Sequence, residues 1–223
     1  MIHDSIVCLD AAQAQERLGN LDVLGSMREL FRALGAGLAT QPPQSLTVFP
    51  EGRGDFITYS GVLAGEQVFG LKVSPYLKTE GRPIITAYTL LMSMETGQPL
   101  MLCDSLALTK ERTAATTALA VDLLAPGKAR RLAVIGSGPV ALAHLKYVLP
   151  LRTWESVRIS SLELPGEAGV IKPKLDALRA GIQIARDREQ AVEDADVIML
   201  CTSSGTPVLD VVSLGKPALI TSI

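Results

Sequence analysis

The sequence predicts an α/β chain in which an α+β domain precedes a doubly wound parallel sheet. Three observations predict it. In the C-terminal part, short apolar runs alternate with helical stretches, the rhythm of a parallel sheet. The first of those runs ends in a glycine-rich turn that opens into a helix. The N-terminal part instead reads as one amphipathic helix followed by a β-rich stretch, an α+β arrangement.

The elements follow in order. Leu21, Leu24, Met27, Leu30, Phe31, Leu34 and Leu38 recur at spacings of three and four, a helix closed by Gly35 and Gly37 and stopped by Pro42-Pro43. SLTVF (45–49), DFITYSG (55–61) and QVFGLKV (67–73) are strands between Gly and Pro punctuation. PIITAYTLLMSM (83–94) and PLMLCD (99–104) flank Glu95-Thr96-Gly97-Gln98, a hairpin signal. LTKERTAATTALA (108–120) begins a helix with Thr109 as N-cap and Glu111 in its first turn, running to about Leu124. Arg112 then opposes the helix dipole, and the residues after it are nearly all small. Ala125-Pro126-Gly127 ends the helix and divides the chain into domains 1–127 and 128–223. Beyond it, RLAVIG (131–136), SVRIS (156–160), GIQIA (181–185), DVIML (196–200) and PALITSI (217–223) are strands. Residues 140–149, 173–180 and 188–193 are the intervening helices, giving a Rossmann-like domain.

Composition narrows the function classes. The chain has 223 residues, 48% of them apolar, enough for one large or two small domains with real cores. Its net charge of −2 is spread without long like-charge blocks, so nothing marks a nucleic-acid or anionic-membrane partner. Cys8, Cys103 and Cys201 lack CxxC spacing and only His3 and His144 are histidines, so neither a disulfide framework nor a metal site is expected. MIHDSIVCLD has no basic n-region before an apolar core, and no apolar run spans a membrane. The expectation is a soluble cytoplasmic protein.

The chemistry concentrates in a few places. Gly136-Ser137-Gly138-Pro139-Val140-Ala141 fits G-x-G-x-x-A between strand and helix. Gly136 allows the turn, Gly138 admits a pyrophosphate, and Ala141 permits close helix–strand packing. The alternative is a tight strand–helix turn with no ligand, which the flanking strand and helix make the lesser reading. The residue that would bind the adenine-side ribose lies near Ser160 and Ser161, with Glu163 slightly beyond, so NAD and NADP both stay open. Thr202, Ser203 and Ser204 follow the fourth strand, as a polar turn or as cofactor contacts. Lys72 interrupts an apolar strand, either solvated on a half-exposed face or holding a carboxylate or moving a proton. Arg112 is either ion-paired with Asp104 or Glu111, or clamps a carboxylate. His144 has a structural or surface role, and Cys103 and Cys201 act as small hydrophobes.

The ordered series GLKVSP (70–75), METGQPLMLCDSLALTKERTAATTALAVDLLA (94–125), LAVIGSGPVALAH (132–144) and CTSSGTPVL (201–209) resembles the ornithine cyclodeaminase/mu-crystallin family over nearly the whole chain. The resemblance implies an α+β domain that binds substrate and forms a homodimer, joined to a Rossmann domain holding NAD or NADP. It implies that Arg112 holds the substrate carboxylate, that Lys72 assists proton transfer beside the reacting carbon, and that Thr113 touches the cofactor. Gln44 stands where members usually carry a second carboxylate-binding arginine, so it is placed in the substrate site. The usual Met-Pro is replaced within ITYSG (57–61), and the usual glutamine of the glycine turn is Val140. Members continue past Ile223, and the resemblance puts the acid of ornithine ring closure in that continuation. The implied activity is NAD(P)-dependent chemistry on a small amino acid or cyclic imino acid, with ornithine going to proline and ammonia through an imine. Alternatives are a ketimine reductase, an alanine-dehydrogenase-like oxidoreductase, or a mu-crystallin-like dinucleotide-binding protein with little catalysis.

Overall fold

A computed structural model describes residues 6–81, 83–162 and 164–223, so Glu163, raised above beside the ribose position, lies outside the described residues. The chain divides into two compact units, Met1–Lys110 and Glu111–Ile223.

In the first unit, strand β1 (Val7–Leu9) leads into helix α1 (Ala11–Leu18). This helix has no counterpart in the sequence reading, because the apolar side of AAQAQERL is made of small alanines and one leucine, and it buries only Leu18. Its start is set locally. Asp10 accepts from the Gln13 N–H at 2.9 Å while the Gln13 side chain accepts from the Asp10 N–H at 3.0 Å. Helix α2 (Val23–Gly35) is the expected amphipathic helix, capped by Asp22 on the Gly25 N–H.

Strands β2 (Ala39–Thr40), β3 (Ser45–Val48), β4 (Gly54–Leu63), β5 (Val68–Leu77), β6 (Ile84–Ile85), β7 (Tyr88–Ser93) and β8 (Pro99–Asp104) join β1 in one sheet. The order is β1-β8-β7-β5-β4-β2, with β3 on β4 and β6 on β5. Every pair is antiparallel except β1 on β8. Gly97, at φ +68°, makes the β7–β8 turn that the sequence predicts. The register sorts side chains by face. Tyr59, Lys72, Thr89 and Cys103 stand opposite one another along one row. The adjacent row, on the other face, holds Ser60, Leu71, Leu90 and Leu102.

Helix α3 (Leu106–Leu124) corrects the expected start. Thr109 is not its N-cap but lies inside its first turn, donating its N–H to the Ser105 carbonyl at 2.8 Å. The stop signal of β8 doubles as the cap, since the Asp104 carboxylate accepts from the Leu106 N–H at 3.0 Å. Arg112 therefore sits in the second turn, where the dipole has faded, and no longer opposes it.

In the second unit, β9 (Arg131–Ile135), β10 (Ser156–Ser160), β11 (Gln183–Ile184), β12 (Val197–Leu200) and β13 (Leu219–Ser222) form a wholly parallel sheet. The order β11-β10-β9-β12-β13 reverses between β9 and β12, as the doubly wound prediction requires. Helices α4 (Pro139–Val148), α5 (Leu164–Leu178) and α6 (Arg188–Val192) connect it. Helix α5 corrects the expected span of 173–180: it starts at Leu164 and carries Pro173 inside it. The two glycines at 166 and 169 disguised its first half as a loop. Leu132, Ala133, Val134, Val157, Ile159, Val197, Ile198 and Met199 are buried, the continuous apolar strands of a sheet covered on both faces. Asp196 clasps its base, accepting from the Arg130 and Arg131 N–H groups at 2.7 and 2.9 Å and from Lys216 Nζ at 2.6 Å. Burial works against the Asp196 carboxylate, but those donors together hold its pKa below the ordinary value.

No helix among the described residues is long and apolar enough to cross a membrane. Among the same residues no group of histidine, cysteine or acidic side chains is placed to hold a metal ion.

Candidate functional site

The second unit carries a turn shaped for a phosphate. Gly136 leaves β9 at φ +117°, and a Cβ there would lie 2.1 Å from the Cys201 carbonyl oxygen. Only glycine lets the ends of β9 and β12 approach so closely. The Gly136 N–H donates to the Ser160 carbonyl at 2.8 Å, so it holds the turn rather than a ligand. Gly138 is exposed and extended at the N-cap of α4, with no side chain among the described residues capping the helix. Pro139 follows at the first position and has no N–H to satisfy. The first-turn amides of Val140 and Ala141 therefore point outward from an uncapped helix, at the switch point of the sheet. A pyrophosphate fits this arrangement.

The polar groups around the turn behave differently from one another. Ser137 Oγ lies 2.7 Å from Ser161 Oγ, which ties the turn to the end of β10. Thr202 and Ser204 bond within their own loop: Thr202 Oγ1 accepts from the Ser204 N–H at 3.2 Å, and Ser204 Oγ donates to the Thr206 carbonyl at 2.9 Å. Ser203, between them, is exposed. Cys201 is buried, and burial pushes its thiol up to about 12, so it stays protonated and unreactive. Burial first, then the Asp104 charge, raises the Cys103 thiol as well.

From Glu111 onward, α3 is fastened to α4. Glu111, nearly buried, accepts from Lys146 Nζ at 2.7 Å. His144 is fully buried, with Nδ1 2.8 Å from the Val140 carbonyl and Nε2 3.0 Å from Thr117 Oγ1. The carbonyl can only accept, so Nδ1 carries the proton and Nε2 accepts from the Thr117 hydroxyl. Burial lowers the His144 pKa, outweighing the carbonyl that favours the charged ring. Arg112 and Thr113 are half-buried on this same helix, between the two fastenings. Ala114, Ala115 and Ala118 beside them are fully buried.

The first unit carries a cation on a platform. Lys72, half-buried on β5, has its Nζ 4.2 Å from the centre of the Tyr59 ring and 3.5 Å from Thr109 Oγ1. Tyr59 is its cross-strand partner in β4 and Thr89 its partner in β7. Thr89 Oγ1 donates to the buried Ser105 Oγ at 2.8 Å, which anchors the start of α3 behind the row. Ser74 lies two residues from Lys72 on the same face, and its Oγ is buried with no hydrogen-bond partner among the described residues. Gln44 is exposed in coil just before β3, whose first residue pairs with Thr58, next to Tyr59. Tyr59 is absent from the sequence reading. Only the pairing of β4 with β5 sets it opposite Lys72, 13 positions away.

The ornithine cyclodeaminase/mu-crystallin family model matches residues 6–223. An NAD(P)H-dependent anabolic L-arginine dehydrogenase of Pseudomonas aeruginosa is 56% identical over 215 residues, 95% of this chain and 66% of that protein. The solved Δ1-pyrroline-2-carboxylate reductase of Thermococcus litoralis, in complex with NADH and L-proline, superposes with a TM-score of 0.87 at 21% identity. It covers 98% of this chain, which in turn covers 68% of it. An archaeal alanine dehydrogenase dimer with bound NAD gives a TM-score of 0.83 at 23% identity, over 96% of this chain and 66% of that one. At such identities the two structures speak to the fold. The chain thus spans about two thirds of the length of these three relatives.

Proposed function

The chain belongs to the ornithine cyclodeaminase/mu-crystallin family, and from that premise we propose that it is an NAD(P)-dependent oxidoreductase acting at the α-carbon of an amino acid or its imine. The observation that carries this reading is the uncapped glycine turn at the switch point of a parallel sheet. When bound, the dinucleotide supplies or accepts a hydride at that carbon. The protein's own part is positioning and charge. Gly138, Pro139 and the Val140 amide seat the pyrophosphate, Ser137 and Ser161 take the ribose side, and Thr113 and Thr202 to Ser204 line the remainder. Arg112 holds the substrate carboxylate. Lys72, kept in place by Tyr59 and Thr109, stabilises charge or passes a proton at the nitrogen-bearing carbon. Gln44 contributes an uncharged hydrogen bond on the substrate side.

A basic amino acid is the favoured substrate, supported by the 56% identity to a protein named an L-arginine dehydrogenase. The direction would then be reduction of the 2-imino acid formed from a 2-oxo acid and ammonia, or its reverse. Ornithine ring closure is the second reading, supported by the family itself. We further propose a homodimer formed through the apolar face of the first unit's sheet.

The test is a turnover assay of the full chain, following NAD(P)H with arginine, ornithine, cyclic imines, and 2-oxo acids plus ammonia. Consumption of NAD(P)H with the 2-oxo acid of a basic amino acid is the expected result. Proline from ornithine without net NAD(P)H change would favour ring closure. Tight dinucleotide binding with no turnover of any of these would leave a binding protein and sink the enzyme reading.

A further inference from the structure

The carboxyl edge of β10 and β11 holds polar groups that the pyrophosphate cradle does not use. Ile159 pairs with Ile184, and the Ala185 N–H donates to the Ile159 carbonyl at 2.8 Å, so the register runs to the ends of both strands. Continued by two residues, the same register sets Ser161 at the end of β10 across from Arg186 at the end of β11. Ser161 Oγ is already bound to Ser137 Oγ in the glycine turn. The Arg186 side chain is 81% exposed, with Nε on the Asp187 carboxylate at 2.8 Å. Asp187 is itself engaged as the cap of α6, accepting from the Gln190 N–H at 2.8 Å.

A dinucleotide seated on such a turn brings its adenine-side ribose to the end of the second strand. A carboxylate there accepts the two ribose hydroxyls and repels a 2′-phosphate. Position 161 instead offers a hydroxyl, which repels nothing and donates to a phosphate oxygen as readily as to a ribose. An exposed guanidinium beside it adds a charge-assisted donor for a dianion. We infer that Ser137, Ser161 and Arg186 form a 2′-phosphate site, so that this chain takes NADP(H) in preference to NAD(H). This rests on the dinucleotide reading above and narrows it to one coenzyme.

Fluorescence titration of the full chain with NADPH and with NADH tests it without any turnover. NADPH binds more tightly by about tenfold, the scale of one hydrogen bond between charged groups. Arg186→Ala brings the two affinities together by weakening NADPH, and Arg186→Lys restores part of the gap. Ser161→Asp reverses the preference. Adenosine 2′,5′-bisphosphate displaces bound NADPH at lower concentration than adenosine 5′-monophosphate does. Equal wild-type affinities, or loss of both nucleotides alike in Arg186→Ala, overturns the inference while leaving the dinucleotide site standing. Failure of both nucleotides to bind the wild-type chain overturns the dinucleotide reading itself, and this inference with it.

Discussion

At the scale of single residues, Lys72 is the side chain whose meaning the structure changed most. As one letter in an apolar strand it reads equally as a solvated lysine or a working one. Its ammonium instead rests 4.2 Å over the Tyr59 ring. A cation–π contact of this kind contributes about 0.5–2 kcal/mol. Tyr59→Leu should therefore lower kcat/KM by roughly 2- to 30-fold, with Tyr59→Phe close to wild type. Lys72→Ala should lower kcat by about 10²- to 10⁴-fold, the usual weight of positioned proton transfer, while the thermal midpoint stays near wild type. Steady-state kinetics with thermal melts on the four proteins would show it. Loss of folding in Lys72→Ala without a specific rate defect would make the lysine structural. Lys72 and Gly136 were both legible in the sequence, because an interrupted apolar run and a strand–turn–helix glycine are local signals. Tyr59 was not, because it lies 13 positions from Lys72 and meets it only through strand register.

At the scale of elements, the parallel strands were the most legible, since strands buried on both faces must be apolar throughout. Helices were read less well at their ends. The start of α3 is hidden in Asp104-Ser105, residues that also finish a strand, and α5 is masked by its glycines and Pro173. How α3 and α4 meet was not visible in either helix alone. Thr117 and His144 are 27 positions apart and hydrogen-bond in full burial. This contact gives stability a pH dependence. The folded His144 pKa lies below that of the unfolded chain, so the unfolded state binds the proton first as pH falls. The stabilisation is complete above the ordinary histidine value of about 6.5 and is lost as pH falls through it towards the folded value. Melts between about pH 7.5 and 5.5 should show a falling midpoint in the wild type and a shallower fall in His144→Gln. Parallel slopes in the two proteins would remove the histidine from the account.

At the scale of the whole molecule, the sheet of the first unit has two unlike faces. One bears Lys72, Tyr59 and Thr89, and the other shows Phe69, Leu71 and Leu102 at 37, 38 and 42% exposure. An apolar patch of this kind on a folded unit marks an association surface. Leu71→Asp puts a charge in the middle strand of that face. Light scattering after size exclusion should find a dimer for the wild type and a monomer for the variant, with circular dichroism unchanged. A wild-type monomer at micromolar concentration would end the homodimer proposal. The resemblance raised the dimer, but the surface that would form it became visible only with the strand order, which interleaves early and late strands as β1-β8-β7-β5-β4-β2.

By itself the sequence determined the parallel sheet, the glycine turn after its first strand, and the identities of the charged residues in otherwise apolar elements. Apolar periodicity and the demand for a positive φ are local properties, and a short stretch of chain expresses them fully. Tertiary structure decided which groups became neighbours: Lys72 with Tyr59, Ser137 with Ser161, Glu111 with Lys146. Those pairs lie 13 to 35 positions apart, and strand register and crossover packing bring them together. That energy is shared across whole elements, so no single residue announces its partner.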